Sequence, residues 1–185
     1  GIVGTHYNHI PLPMFKNATA LSFPVPRLRQ LGKDMSKFMR TGHDGEIHVL
    51  HELSARVSAA IKYSKGKTDT STTAEMAMEI GMGVCQDHVH AFIAVARCLD
   101  FSARYVRGYL LLGDGEIQDA SHAWADVITD GLGWVAIDIS NGISPDDRYV
   151  KLATGFDYAD AAPLSGVRFG SGEEQMSTQV IVSQQ

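Results

Sequence analysis

Cysteine is scarce in this chain: 185 residues hold two, Cys85 and Cys98. Two thiols cannot build the disulfide framework of a small secreted domain. If both lie on one helix, their separation of 13 residues spans about 20 Å at 1.5 Å per residue. A disulfide needs Cα atoms within about 7 Å. The two therefore cannot cross-link within the chain, which fits a reducing, cytoplasmic setting. Basic charge is also short, with 16 Lys and Arg against 21 Asp and Glu and a net charge of −5. With no basic stripe, a nucleic-acid partner is not expected. No apolar run approaches the roughly 20 residues of a membrane span, so no membrane is expected either. No signal peptide is visible, and there is no internal repeat or low-complexity tract. The chain opens on Gly1, not methionine, so the expectation is that the native N-terminus, with any leader, is missing.

What is present is ordinary for a globular domain: 44% hydrophobic and 20% charged residues, in a length that suits one sizeable core. Residues 1–25 read as irregular, with prolines at 11, 13 and 24. Pro26 can open a helix, and Leu28, Leu31, Met35, Phe38 and Met39 give it an apolar stripe to about residue 40, where Thr41-Gly42 ends it. Asp44 is a plausible cap for a second helix with Ile47, Leu50, Leu53, Val57 and Ile61 inward. Residues 63–71 read as a polar loop. Thr72 and Glu75 have the capping-box spacing that starts a short third helix, ending near Ile80.

Gly83-Val84-Cys85-Gln86-Asp87-His88-Val89-His90 follows and runs on to Leu99. Val89, Phe92, Ile93, Ala96 and Leu99 recur at helical spacing. Gly81 and Gly83 let the chain bend sharply just before Cys85. The spacing predicts a tight turn that delivers Cys85 onto the first turn of a buried helix. Unpaired N–H groups and partial positive charge at a helix start favour the reactive thiolate and can stabilise an oxyanion beside it. A lone cysteine is more often a small buried hydrophobe, and this stretch alone leaves both readings open. Cys98 reads as a structural residue near the helix end.

Beyond Asp100 the pattern becomes strand-like. Strands are expected over 103–112, turned by Gly113-Asp114-Gly115, then over 120–129 and 134–140, joined by Asp130-Gly131-Leu132-Gly133. Asn141-Gly142 is a turn signal. A short strand over 149–153, a helical turn over 157–162 and a closing strand over 176–183 complete the chain. Helices first and an antiparallel sheet after them make an α+β layout.

A thiolate nucleophile needs a proton-holding base, and the base needs an orienting acceptor. His122 opens one strand and Asp138 lies in the next. Antiparallel pairing around 130–132 makes partner numbers sum to about 260–262, which sets His122 opposite Asp138 or one diagonal step away. Either position is within side-chain reach. Asp126 lies four residues along from His122, about 13 Å at 3.3 Å per residue, too far to orient the ring. His88, three residues after Cys85, reads as a supporting or packing residue. His88 and His90 point about 200° apart on a helix and cannot share a metal. Cys85, His88, His122 and Asp138 could be imagined around zinc, but no paired Cys-x-x-Cys or His-Glu-x-x-His supports it. No metal and no cofactor are expected.

Four ordered motifs carry a family resemblance: Gly83-Val84-Cys85-Gln86-Asp87-His88; Ala103-Arg104-Tyr105-Val106 with Gly108-Tyr109; Ser121-His122-Ala123-Trp124; and Gly133-Trp134-Val135-Ala136-Ile137-Asp138 with Asn141-Gly142. Together, and with Asp147-Arg148-Tyr149-Val150 and Asp157-Tyr158, they resemble the bacterial transglutaminase-like proteins from about residue 45 to the C-terminus. The resemblance implies a papain-like core, with the cysteine on a central helix packed against an antiparallel β-sheet and a triad of Cys85, His122 and Asp138. It also implies the division 1–44, a connecting segment with one helix, and 45–185, the catalytic core. A β-rich domain often precedes such cores and is expected to be absent from this chain. Ile139 departs from the family, which often has proline there. Mammalian transglutaminases use calcium, but no acidic loop resembling an EF-hand is present.

The function expected is cysteine-dependent acyl transfer or hydrolysis on peptide or glutamine amides, through a thioester, with hydrolysis slightly favoured. The Cys85 N–H would supply one oxyanion donor, and Gln86, Tyr63 and Trp124 are candidates for the second. The partner expected is a peptide or protein substrate. Oligomeric state is not legible. The competing reading is a non-catalytic peptide-binding or assembly module that keeps the fold.

Overall fold

The computed structural model describes residues 10–41, 45–111, 117–118, 121–162 and 180–181. Its elements are a 3-10 turn (Leu12–Lys16), α1 (Pro26–Thr41), α2 (Glu46–Ala60), β1 (Lys62–Tyr63), α3 (Ala74–Ile80), β2 (Met82–Gly83), α4 (Cys85–Cys98), β3 (Ala103–Leu110), β4 (Ile117–Gln118), β5 (His122–Thr129), β6 (Gly133–Ile137), β7 (Tyr149–Gly155) and β8 (Val180–Ile181). Helices precede an antiparallel four-stranded sheet of order β6-β5-β3-β7, the α+β layout expected.

Helix α4 is the axis of the molecule. Every residue from Gln86 to Arg97 is buried, a wider burial than the one-sided stripe of the sequence predicts. One side of α4 packs on β3 and β5, and α1, α2 and α3 cover the rest. Leu28, Met35, Leu50, Leu53, Val57, Phe92 and Ile93 share this core with Ala103, Tyr105, Ala123, Ala125 and Val127 from the sheet. Val106, Trp124, Ala136 and Tyr149 form a second, smaller cluster. The strict alternation along β3 and β5 sorts neighbours between the two clusters.

The N-terminal stretch is tied down more firmly than its prolines suggest. Phe15 is buried, edge-on to Trp134 and tilted against Phe156. The buried Arg97 guanidinium donates to the carbonyls of Phe15, Ala103 and Phe156 and to Ser22 Oγ. That spends its fork on otherwise unpaired acceptors.

Several local expectations shift. Helix α2 starts after Gly45, without a side-chain cap; Asp44 lies outside the described residues. The cap of α3 is Thr73, whose hydroxyl accepts from the Met76 N–H. Thr72 instead accepts from the Asp69 N–H. Glu75 reaches the N–H groups of Arg27 and Leu28 at the start of α1, a charge-favourable cap from a distant segment. Lys62 and Tyr63 form β1, paired in parallel with β2, so Tyr63 is strand and not the start of the loop expected over 63–71. Strand β6 ends at Ile137 rather than 140. Strand β7 runs on to Gly155, with a register shift opposite Arg107 and Gly108. The turn at 113–115 and most of the closing strand lie outside the described residues; Val180 and Ile181 pair with β4.

Candidate active site

Cys85 is the first residue of α4. Gly81 ends α3 with φ +70°, a left-handed cap that suits glycine, so the bend before Cys85 is made there. Gly83 is needed for space: a Cβ there would meet Asp87 Oδ2 at 2.6 Å. The Asp87 carboxylate turns back to accept from the Val84 N–H and Thr68 Oγ1, both at 2.7 Å. This caps the helix start and fixes where Cys85 enters it. Burial pushes the Asp87 carboxyl up, against the pull of those two donors.

His122 opens β5 and stands opposite Gly108 of β3. The β5–β6 ladder pairs Ala125 with Ile137, Asp126 with Ala136 and Ile128 with Trp134. Partner numbers sum to 262, so Asp138 lies one diagonal step from His122. The imidazole Nε2 meets Asp138 Oδ2 at 2.6 Å. Cys85 is the other group whose proximity raises the ring, and Nε2 is committed to the carboxylate. Burial pulls the His122 imidazole down, but hydrogen bonds and charge from Asp138 and Cys85 outweigh it and raise it to about 9. At neutral pH an imidazolium is favoured there.

Asp138 is fully buried and heavily solvated by protein. Its Oδ2 accepts from His122, from the Tyr149 hydroxyl at 2.7 Å and from Asn141 Nδ2 at 2.7 Å. Its Oδ1 accepts from the Asn141 N–H at 3.1 Å. Burial opposes the charge, but these donors hold the carboxyl below its ordinary value. Tyr149 was overlooked as a partner in the site. Its motif was visible, but β7 is separated from Asp138 by a turn and only the fold brings them together. Burial, then the bond to Asp138, keeps the phenol firmly protonated. Asn141, read as a turn residue, does two jobs: it opens the turn and donates twice to the carboxylate.

The other residues singled out from sequence fall in distinct places. His88 is buried between Ser140 Oγ and the Ile61 carbonyl, each at 2.8 Å from one ring nitrogen. Nε2 donates to that carbonyl, and the Ser140 hydroxyl donates to Nδ1 in the neutral ring that burial favours. Burial lowers its pKa, which outweighs the Ile61 bond and the nearby carboxylates. Gln86 is buried and its amide donates to the Asp69 carbonyl at 3.2 Å. Tyr63 is 54% exposed, tilted toward His88, and its hydroxyl is raised first by partial burial and then by Cys85. Trp124 is fully buried, edge-on to Tyr149, and its Nε1 meets no acceptor among the described residues. A Cβ at Gly108 would lie 2.5 Å from its ring, so glycine makes room for the indole. Cys98 ends α4 in an exposed position, not in the core. Burial of its thiol raises its pKa, with Arg29 pulling the other way. Among the described residues, no group of three or more His, Cys, Asp or Glu side chains could hold a metal ion. No helix among them is long and apolar enough to cross a membrane.

Comparison with known proteins fits this arrangement. The model of the transglutaminase-like superfamily matches residues 33–139, from within α1 to one residue past Asp138. The chain is 33% identical over 140 residues to uncharacterised proteins of Mycobacterium bovis and Mycobacterium tuberculosis, covering 70% of this chain and 45% of theirs. It is 30% identical over 146 residues to one from Mycobacterium leprae, covering 72% and 51%. It thus spans about half the length of the curated relatives it matches. A candidate cysteine protease from Cytophaga hutchinsonii superposes with a TM-score of 0.69 at 23% identity, over 93% of this chain and 56% of that one. The fold is therefore the papain-like, transglutaminase-like one.

Proposed function

The chain belongs to the transglutaminase-like superfamily, and from that membership and the geometry at Cys85 we propose that it is a cysteine-dependent enzyme of amide chemistry. Cys85, His122 and Asp138 form its catalytic triad. The observation that carries the reading is the 2.6 Å contact between His122 Nε2 and the fully buried Asp138 carboxylate, on a ring that Asp138 and Cys85 both raise.

In the proposed mechanism Cys85 gives its proton to His122, and the sulfur attacks a peptide or glutamine amide carbonyl. The Cys85 N–H, free at the first position of α4, faces the developing oxyanion. Tyr63 supplies the second donor: the Gln86 amide is turned to the Asp69 carbonyl and Trp124 is fully buried, while Tyr63 is exposed and its hydroxyl is raised by partial burial and then by Cys85. As the tetrahedral intermediate collapses, the C–N bond breaks and His122 protonates the departing amine. A thioester on Cys85 remains. Water or a primary amine then attacks it, His122 takes the incoming proton, and the thiol is released. Asp138 holds the ring in place and stabilises the imidazolium. Hydrolysis is the favoured outcome, on peptide or protein substrates. A reducing compartment, the cytoplasm, is proposed because Cys85 and Cys98 sit unpaired at opposite ends of α4.

The test is mass spectrometry of a glutamine-containing peptide library incubated with the protein, with and without a primary amine. Deamidated or cleaved peptides are expected without amine. Amine adducts that replace them would make transfer the main reaction. An unchanged library would reject the reading.

A further inference from the structure

Three arginines reach the sheet: Arg97 and Arg104 are buried and engaged, and Arg107 is half-buried. Arg97 donates to carbonyls and Ser22. Arg104 forks onto Asp126 and lies over the Trp134 ring at 4.0 Å. Arg107 differs. Its Nε and Nη1 are buried and, among the described residues, meet no hydrogen-bond acceptor. Leaving a buried charged donor unpaired is costly, and folded proteins rarely do so without a reason.

Its position supplies the reason. Along β3, Ala103 and Tyr105 face the core of α4, while Val106 faces the Trp124 cluster. Arg107 has the parity of Tyr105. Its ladder partners, Ala123 and Ala153, also belong with the α4 side. The next residue, Gly108, stands opposite His122. Arg107 therefore leaves the sheet on the α4 side, where Cys85 packs against the same core, one step along β3 from the row that carries His122. Tyr105 registers both neighbours: burial raises its hydroxyl most, Cys85 adds to that and Arg107 opposes it.

We propose that Arg107 forms an anion subsite beside Cys85, taking a carboxylate of the substrate next to the reactive amide. The proposal rests on Cys85 being the nucleophile. A guanidinium fork matches a carboxylate bidentately, and the incoming group would supply the acceptors that the protein withholds. An acidic side chain and a C-terminal carboxylate offer the same chemistry. The substrate class is thus an acidic or C-terminal peptide amide.

Iodoacetate and iodoacetamide test this, because they alkylate a thiol alike and differ in charge. In the wild-type protein, iodoacetate modification of Cys85 should saturate with reagent concentration while iodoacetamide modification stays linear. Arg107→Gln should lower the iodoacetate-to-iodoacetamide rate ratio about tenfold, the worth of one charge-assisted hydrogen bond, and leave the iodoacetamide rate near wild type. Arg107→Lys, which keeps the charge but not the fork, should lose part of that ratio. Linear iodoacetate kinetics in the wild type, or an unchanged ratio in a folded Arg107→Gln protein, would overturn the subsite while leaving the nucleophile intact. If neither reagent modifies Cys85 faster than a free thiol, the nucleophile reading fails and takes the subsite with it. Glutamine peptides carrying Asp or Asn beside the glutamine, each with a free or amidated C-terminus, then assign the source. Loss of kcat/KM should follow either the side chain or the terminus; loss with neither would also reject the subsite.

Discussion

Two buried carboxylates lie on the same hairpin side of the sheet and do opposite things. Asp138, just past β6, is paired with one titratable group, His122, and otherwise with the neutral donors Tyr149 and Asn141. Asp126, in β5, is paired with permanent cations: Arg104 at 2.8 Å and Lys151 at 2.6 Å from Oδ2. A carboxylate neutralised by two fixed charges has little field left for a proton elsewhere. One surrounded by neutral donors keeps its charge and projects it onto the imidazole. The lesson is that the partners of a buried acid, more than its burial, decide whether it serves chemistry or architecture.

The contrast can be broken by mutation, beginning with the nucleophile. Cys85→Ala should abolish release of ammonia or amine from a glutamine peptide while the thermal melt stays close to wild type, because little core volume is lost. Asp138→Asn should come next, with turnover cut by up to ~10⁴-fold by analogy with hydroxyl triads. The loss is smaller if the thiolate–imidazolium pair forms before substrate arrives. In the same variant the His122 titration, followed by NMR, should drop from its raised value.

That raised value also predicts a pH profile. A histidine whose folded pKa lies near 9 against an ordinary 6.5 adds stability that is full below about 6.5 and fades as pH rises through about 9. Asp138, held low, adds stability present above its ordinary value and lost as pH falls through its lower folded one. Denaturant melts across this range should show both limbs. Asp138→Asn should remove the acid limb and flatten the alkaline one.

Tyr149→Phe should cost about 1–2 kcal/mol of stability by removing one donor from a charged acceptor, with a loss of turnover of roughly tenfold or less. Asp126→Asn should show the smallest change in kcat, within about twofold, because its carboxylate faces Arg104 and Lys151 and not the ring. Its effect falls on stability instead, on the order of 3 kcal/mol for a broken buried pair, read by denaturant midpoint. If Asp126→Asn cut turnover as deeply as Asp138→Asn in a folded protein, the division between the two acids would be wrong.

The diagonal step between His122 and Asp138 was legible because a two-fold side-chain period and a turn centre fix register arithmetically. The apolar stripes of α1 and α2 and the start of α4 at Cys85 were legible for the same reason, with a period of 3.6. Features without a period were not. β1 and β2 are two residues each and exist because α2 and α3 end side by side. Thr72 and Thr73 are both able caps, and Asp69, whose N–H binds Thr72, settles between them. Glu75 serves a helix 47 residues away. Tyr149, Asn141 and the unpaired Arg107 draw their meaning from neighbours that only the folded chain supplies. Cys98, expected near an apolar helix end, is exposed, while Val95, Ala96 and Arg97 just before it stay buried.

The most direct test of the triad is intact-mass and peptide-mapping analysis of the protein quenched during turnover of a glutamine peptide. An acyl adduct on Cys85 is predicted in the wild type, absent from Cys85→Ala and slow to form in Asp138→Asn. An adduct on Cys98, or turnover by folded Cys85→Ala, would contradict the account.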